Sequence, residues 1–151
     1  MLDIALRAGN RAKRELERLK RIAKSEGLQG DTRFRDEIAK LEVDVVALEM
    51  LVLRVLSAAS SGKNTLDIAG LLKIKGSEIQ QRYTELMMLA GGPYALPLIR
   101  EAMHAGWQGD FPGGHLGLAP LASNYFNMRK TTIYGGSNEV QRNIVAQTVL
   151  G

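Results

Sequence analysis

Residues 34–59 read FRDEIAKLEVDVVALEMLVLRVLSAA. Within them Phe34, Ile38, Leu41, Val45, Leu48, Val52, Val55 and Ala59 recur at alternating steps of four and three. An α-helix returns to one face at that spacing, whereas a strand repeats every second residue. The stripe runs for about seven turns and predicts one long helix. Its first half has charged flanks at Glu37, Lys40, Glu42 and Asp44. Its second half, Val45 to Leu56, is apolar nearly all round apart from Glu49 and Arg54. A helix buried on several faces is central in a bundle or lies at a subunit interface, and both places stay open.

The flanking segments read the same way. Upstream, Ala5, Ala8, Ala12, Leu16, Leu19 and Ala23 predict a helix over residues 3–25, closed by Gly27 and Gly30. Asp31 or Thr32 is placed to cap the helix that follows. Downstream, Ser60-Ser61-Gly62-Lys63 ends the long helix, and Asn64 or Thr65 caps a third one running to about Ala90. The stripe of this third helix is Ala69, Leu72, Gly76, Ile79, Tyr83, Leu86 and Ala90. Gly76 in mid-helix costs about 1 kcal/mol against Ala, which points to close approach of a neighbouring helix there. Residues 91–117 are rich in Gly and Pro, with room for one short helix near Leu98 to Ala105. A helix over 119–129, a turn at Ile133-Tyr134-Gly135-Gly136 and a last helix from Ser137 or Asn138 to Leu150 complete the chain. No strand pattern and no internal repeat occur. The expected architecture is all-α: a single domain over residues 1–151, an up-and-down bundle of four to five helices.

Composition narrows the chemistry. Apolar residues make up 45% and aromatics only 5%, so aliphatic side chains and Met must fill the core. There is no cysteine, which excludes disulfides, thiolate metal sites and a cysteine nucleophile. The two histidines, His104 and His115, stand in the Gly-rich stretch without HExxH spacing. No GxSxG elbow is present. No run approaches the roughly 18 apolar residues of a membrane span, and arginines interrupt the short apolar N-terminus, unlike a signal peptide. A cytoplasmic protein without a membrane partner is expected. Arg7 to Lys24 holds eight basic residues against two acidic ones. These alternate with Ala and Leu at helical spacing and have no stacking aromatics beside them. A solvated or phosphate-facing surface therefore fits better than a nucleic-acid site.

The stretch 129–146, RKTTIYGGSNEVQRNIVA, is the most specific in the chain. A Gly-Gly turn enters a helix whose first turn is Ser137-Asn138-Glu139. Glycines let backbone approach a ligand, and the free N–H groups of a helix start bind anions, typically phosphate. Asn138 and Gln141 are spaced for a capping box. From the residues alone, a capped helix after a turn is the simpler reading and an anion site the functional one.

This stretch resembles the C-terminal signature of acyl-CoA dehydrogenases, in which an aromatic, a short Gly turn and a T/S-x-E/Q-x-Q-R helix lie beside the flavin. The helix layout agrees over essentially the whole chain. The resemblance implies a flavin-dependent α,β-dehydrogenation of acyl-CoA thioesters, with FAD as cofactor and acyl-CoA as substrate. It also implies assembly as a homo-oligomer or as a heteromer with a related dehydrogenase subunit. Family members carry two further domains, one helical and one β-rich, which have no counterpart here, so this chain alone is expected to be incomplete. Carried over residue by residue, Ser137 and Glu139 and the backbone of Gly135 and Gly136 fall at flavin-contacting positions. Arg21 matches an arginine that reaches the pyrophosphate in a neighbouring subunit, although the family's following Phe-Gly is here Lys24-Ser25.

The catalytic glutamate is not carried over. In some members it follows the signature tyrosine, where this chain has Gly135. In others it opens the first helix, near Leu2 or just upstream, where no glutamate stands. Glu15 and Glu17 read as solvated partners of Arg11, Arg18 or Arg21, so no catalytic residue is assigned. Met88 replaces a glutamine common before the family's Gly-Gly and loses its amide donor and acceptor. Gly91-Gly92-Pro93-Tyr94 and Arg129-Lys130-Thr131 look closest to members acting on steroid side chains or dicarboxylates. Of the remaining candidates, Glu49 reads as an ion-pair partner of Arg54 or another helix. Trp107, His104 and His115 read as loop residues and Met87-Met88 as core filler. Two functions follow: a dehydrogenase domain that builds part of the FAD site and the oligomer interface, or a non-catalytic helical assembly module derived from that family.

Overall fold

A computed structural model describes residues 2–62, 66–104, 106–109 and 116–150. Five α-helices follow one another: α1 (Leu2–Ser25), α2 (Thr32–Ser60), α3 (Leu66–Gly91), α4 (Leu121–Met128) and α5 (Asn138–Leu150). No strand occurs among the described residues, and no described helix is long and apolar enough to cross a membrane. The expected all-α bundle is present.

The first three helices form an antiparallel run around one apolar core. From α1 it takes Ala12, Leu16 and Leu19, from α2 Leu41, Val45 and Leu48, and from α3 Ile79, Tyr83, Leu86 and Met87. The stripe on α2 is buried at Leu41, Val45, Leu48, Val52 and Val55, as its spacing requires. Ala5 and Ala8 of the α1 stripe lie outside the described side chains. The start of α2 is capped by Asp31, whose carboxylate accepts from the Phe34 N–H at 3.1 Å. The proposed caps Asn64 and Thr65 lie outside the described residues. Salt bridges stitch the solvent side: Lys13 to Glu49, Lys20 to Glu17 and Glu42, Glu15 to Arg18, and Arg82 to Glu37.

The centre of the bundle is α3, not α2. It packs against α1, α2, α4 and α5, and it is buried on a second face at Ile74, Ser77 and Thr84 besides its predicted stripe. In contrast α2 meets only α1 and α3 extensively. Its outward face presents Val43, Val46, Met50 and Leu53, the first of them 70% exposed. One face of α2 thus lies in the core, and its opposite apolar face is left uncovered by the described residues.

The close approach predicted at Gly76 occurs elsewhere, since a Cβ at Gly76 meets nothing within 4 Å. The tight point is Gly70, where a Cβ would lie 2.8 Å from Val145 Cγ2 of α5. Beyond α3 the connection folds into short 3-10 turns at Gly92–Ala95, Glu101–Met103 and Leu116–Leu118. The helix expected near Leu98 to Ala105 contracts to the middle one. Prolines at 93 and 97 remove backbone donors from this region. Fully buried Ala95, with Leu118 and Leu121, closes the end of the core. The helix expected over 119–129 is α4, continued by a 3-10 turn at Arg129–Thr132.

Candidate functional site

Three polar residues on α3, Lys73, Ser77 and Gln81, stand four residues apart and so share one face. This row holds the segment 128–138 in place. Lys73 Nζ donates to Thr132 O at 3.2 Å and to Asn138 Oδ1 at 2.6 Å. Asn138 Nδ2 donates to Ser77 Oγ at 3.0 Å, and Ser77 Oγ donates back along its own helix to Ile74 O at 2.8 Å. Gln81 Nε2 donates to Arg129 O at 3.0 Å, while the Arg129 guanidinium donates to Gln81 O at 2.8 Å. The same guanidinium lies over the Tyr125 ring, 4.3 Å from its centroid. Asn138 is only 3% exposed. Such a group is tolerated in a core because its hydrogen bonds are made. Burial pushes the Lys73 ammonium below its usual range, and the Glu139 charge acts the other way.

Anchored from behind, the turn faces outward. Ile133 is 69% and Tyr134 54% exposed. Gly135 and Gly136 take φ of +68° and +87°, a left-handed region that L side chains rarely adopt. This gives a physical reason for the departure at Gly135. A glutamate there would have open space, for a Cβ meets nothing within 4 Å, but its backbone would be strained.

The cap of α5 differs from the expected one. Asn138 is withdrawn into the α3 contact, and Ser137 Oγ instead accepts from the Val140 N–H at 3.4 Å. The Glu139 carboxylate is held below the usual range by its own backbone N–H and then by the Ser137 hydroxyl, with Arg142 and Lys73 adding smaller attractions. Ser137 and Glu139 thus already satisfy donors of the helix start. A phosphate placed there would meet an exposed carboxylate, so the helix start is a poor phosphate site.

A second surface rich in charge lies elsewhere. The C-terminal part of α1, the turn at Leu28–Gly30 and the start of α2 border an open groove of about 490 Å³. Its lining carries three cations, Lys20, Lys24 and Arg35, two carboxylates, Asp36 and Glu42, and the Gln29 amide. Lys20 is tied to Glu42 and Glu17, and the hydrogen bond to Glu42 is the main reason its ammonium is raised above the usual range. Lys24 and Arg35 form no ion pair with a described residue. Arg21 is exposed on the same part of α1 without lining the groove. Gly135, Gly136, Ser137 and Glu139 are therefore brought together. Arg21 is not brought to them, because α5 leans on α3 near Gly70 while the end of α1 meets the start of α2.

Sequence reasoning missed Lys24, Gln29 and Arg35, which converge only through the turn between α1 and α2. It also missed the row Lys73, Ser77 and Gln81, although three polar residues at a spacing of four were a readable signal. Of the loop candidates, His104 is exposed and Trp107 half-buried, while His115 lies outside the described residues. Met88 packs against the core, as Met87 does within it.

The family model described as acyl-CoA dehydrogenase, C-terminal domain, matches residues 2–150. No curated protein matches the chain. Among solved structures, the Tcur3481-Tcur3483 steroid ACAD is similar at 23% identity with a TM-score of 0.72, over 95% of this chain and 34% of that one. A glycine-to-alanine variant of the same protein is similar at 22% identity and a TM-score of 0.71, over 95% and 35%. The chain thus spans about a third of the length of the structures it matches, and the likeness shows a shared fold. Matched over nearly its whole length, the chain belongs to the acyl-CoA dehydrogenase family, as its C-terminal helical domain.

Proposed function

We propose that this domain supplies one wall of the FAD cleft and part of the oligomer interface of a flavin-dependent acyl-CoA dehydrogenase. The other two domains of the family, helical and β-rich, would complete the cleft. The observation that carries the reading is the outward turn Tyr134–Glu139, locked to α3 through buried Asn138. When bound, FAD supplies the hydride-accepting chemistry. The residues present fit it in two parts. The turn offers the exposed backbone of Gly135 and Gly136 with the Glu139 carboxylate, suited to hydrogen-bonding partners without negative charge. The groove offers Lys24 and Arg35 to a diphosphate, with Arg21 nearby on α1. The two lie apart on this chain, which suits the turn serving one flavin and the groove that of a neighbouring subunit.

The base that removes the α-proton is not assigned to this chain. It would come from a partner, and a heteromer fits that need. The likeness to a protein named for two components, Tcur3481 and Tcur3483, supports such an assembly, and its steroid label supports a bulky acyl-CoA substrate. The outward stripe Val43, Val46, Met50 and Leu53 on α2 is the proposed subunit contact. The setting is cytoplasmic, with neither membrane nor nucleic acid as a partner.

In the assembled protein, Ser137→Ala with Glu139→Gln should lower flavin retention after gel filtration, read as flavin absorbance per protein. Undiminished absorbance would remove these two residues from the site. The second reading, a non-catalytic assembly module, is favoured by Gly135 and Met88. It requires the assembled protein to stay flavin-free when FAD is added.

A further inference from the structure

Between α1, α3 and α4 lies a cavity of about 150 Å³. Its polar wall is built by Arg11, Glu15 and Arg18 from α1, Tyr83 and Thr84 from α3 and Asn124 from α4, the Thr84 hydroxyl donating to its own helix. Tyr83 is 3% exposed, and its ring belongs to the main core. Its hydroxyl makes no hydrogen bond of good geometry with a described residue, although the Arg11 guanidinium stands close enough to interact with it. A buried hydroxyl without a partner is unfavourable and rare in native structures. Burial pushes the Tyr83 phenol above its usual range, with the nearby Arg11 guanidinium opposing, so it remains a proton donor at neutral pH.

The donors around this cavity outnumber the acceptors. Arg11 is exposed at its mouth. Arg18 is paired with Glu15 at 3.6 Å. Two guanidiniums against one carboxylate leave the wall with a single net positive charge, which matches a monoanion, whereas Glu15 opposes a phosphate dianion. Guanidinium forks and a phenol are matched to the two oxygens of a carboxylate. A cavity of this volume has room for about six heavy atoms, enough for a carboxylate and a short stem.

We infer that this cavity is a carboxylate-binding site, in which the Tyr83 hydroxyl and the Arg11 guanidinium receive a monoanionic carboxylate beside Asn124. The carboxylate comes either from a free short-chain acid or from an Asp or Glu side chain of an adjoining domain or subunit. This site shares no residue with the groove at Lys24 and Arg35, whereas Tyr134 of the turn lies within electrostatic reach of the Tyr83 hydroxyl.

The test is an amide chemical-shift titration of the full chain with sodium acetate, with a blocked Gly-Glu-Gly peptide, and with sodium chloride at matched ionic strength. Saturable shifts at Tyr83 and Asn124 are expected with carboxylate and not with chloride. Tyr83→Phe, which keeps the core ring, and Arg11→Gln, at an exposed position, should each weaken binding about tenfold. Binding of acetate and peptide alike assigns the site to a protein side chain, and binding of acetate alone assigns it to a free acid. The inference is overturned if acetate and peptide shift these signals no more than chloride does. It is equally overturned if both variants bind as tightly as the wild type.

Discussion

The α1–α2–α3 core and the segment 128–138 are held by different physics. The core is aliphatic, spread over three long helices, and each side chain touches many others. The segment hangs on a few directed hydrogen bonds to Lys73, Ser77 and Gln81. Apolar burial is non-directional and tolerates conservative exchange. A buried polar network fixes one geometry and fails when a member is lost. The chain therefore uses bulk packing to exist as a bundle and a small polar lock to aim the turn that carries the candidate site.

The comparison can be broken from either side. The largest effect is expected in the core. Leu48→Ala opens a cavity beneath the buried face of α2 and should cost about 2–5 kcal/mol, measured by urea unfolding. The amide signals of 131–138 should stay native-like below the transition. Next comes the lock. Asn138→Ala leaves the Lys73 ammonium and the Ser77 hydroxyl short of a partner and should cost about 1–3 kcal/mol. Its loss should concentrate in faster hydrogen exchange over 129–142, and protection lost evenly through α1 and α2 would contradict the division drawn here.

The smallest effect is a pH effect at the start of α5. The carboxyl of Glu139 titrates below the usual carboxylate value in the folded chain, held there by its own backbone N–H and the Ser137 hydroxyl. Its contribution is present above that value and is lost as pH falls through the lower folded one. Glu139→Gln should slightly flatten the acid limb of the stability profile and leave the neutral plateau nearly unchanged. An unaltered acid limb would show that the carboxylate does not cap this helix.

The difference between the two regions also explains what the sequence revealed. Periodic burial is written locally, so the stripe Leu41, Val45, Leu48, Val52 and Val55 and the cap at Asp31 were legible. The family was legible in 129–146 because its turn and helix are contiguous. The centrality of α3 was hidden, since a helix packed on several sides loses its single stripe and Ile74, Ser77 and Thr84 fall off the predicted face. A mid-helix glycine at 76 marked a propensity cost but not a contact, and the contact was made by Gly70. Asn138 read as a cap because capping is local, whereas its true partners stand 65 and 61 residues away. The groove at Lys24 and Arg35 was out of reach for the same reason, as it forms only where the chain doubles back between α1 and α2.

The most direct test of the central claim is FAD affinity of the assembled protein, compared between wild type and the Lys24→Glu, Arg35→Glu double variant. Removing two cations from a diphosphate contact and adding repulsion should weaken FAD binding at least about tenfold, since charge-assisted hydrogen bonds contribute strongly, while the helical signature and mass of the assembly stay unchanged. An FAD affinity equal to that of the wild type would contradict the account of this domain as holding a flavin diphosphate through its groove.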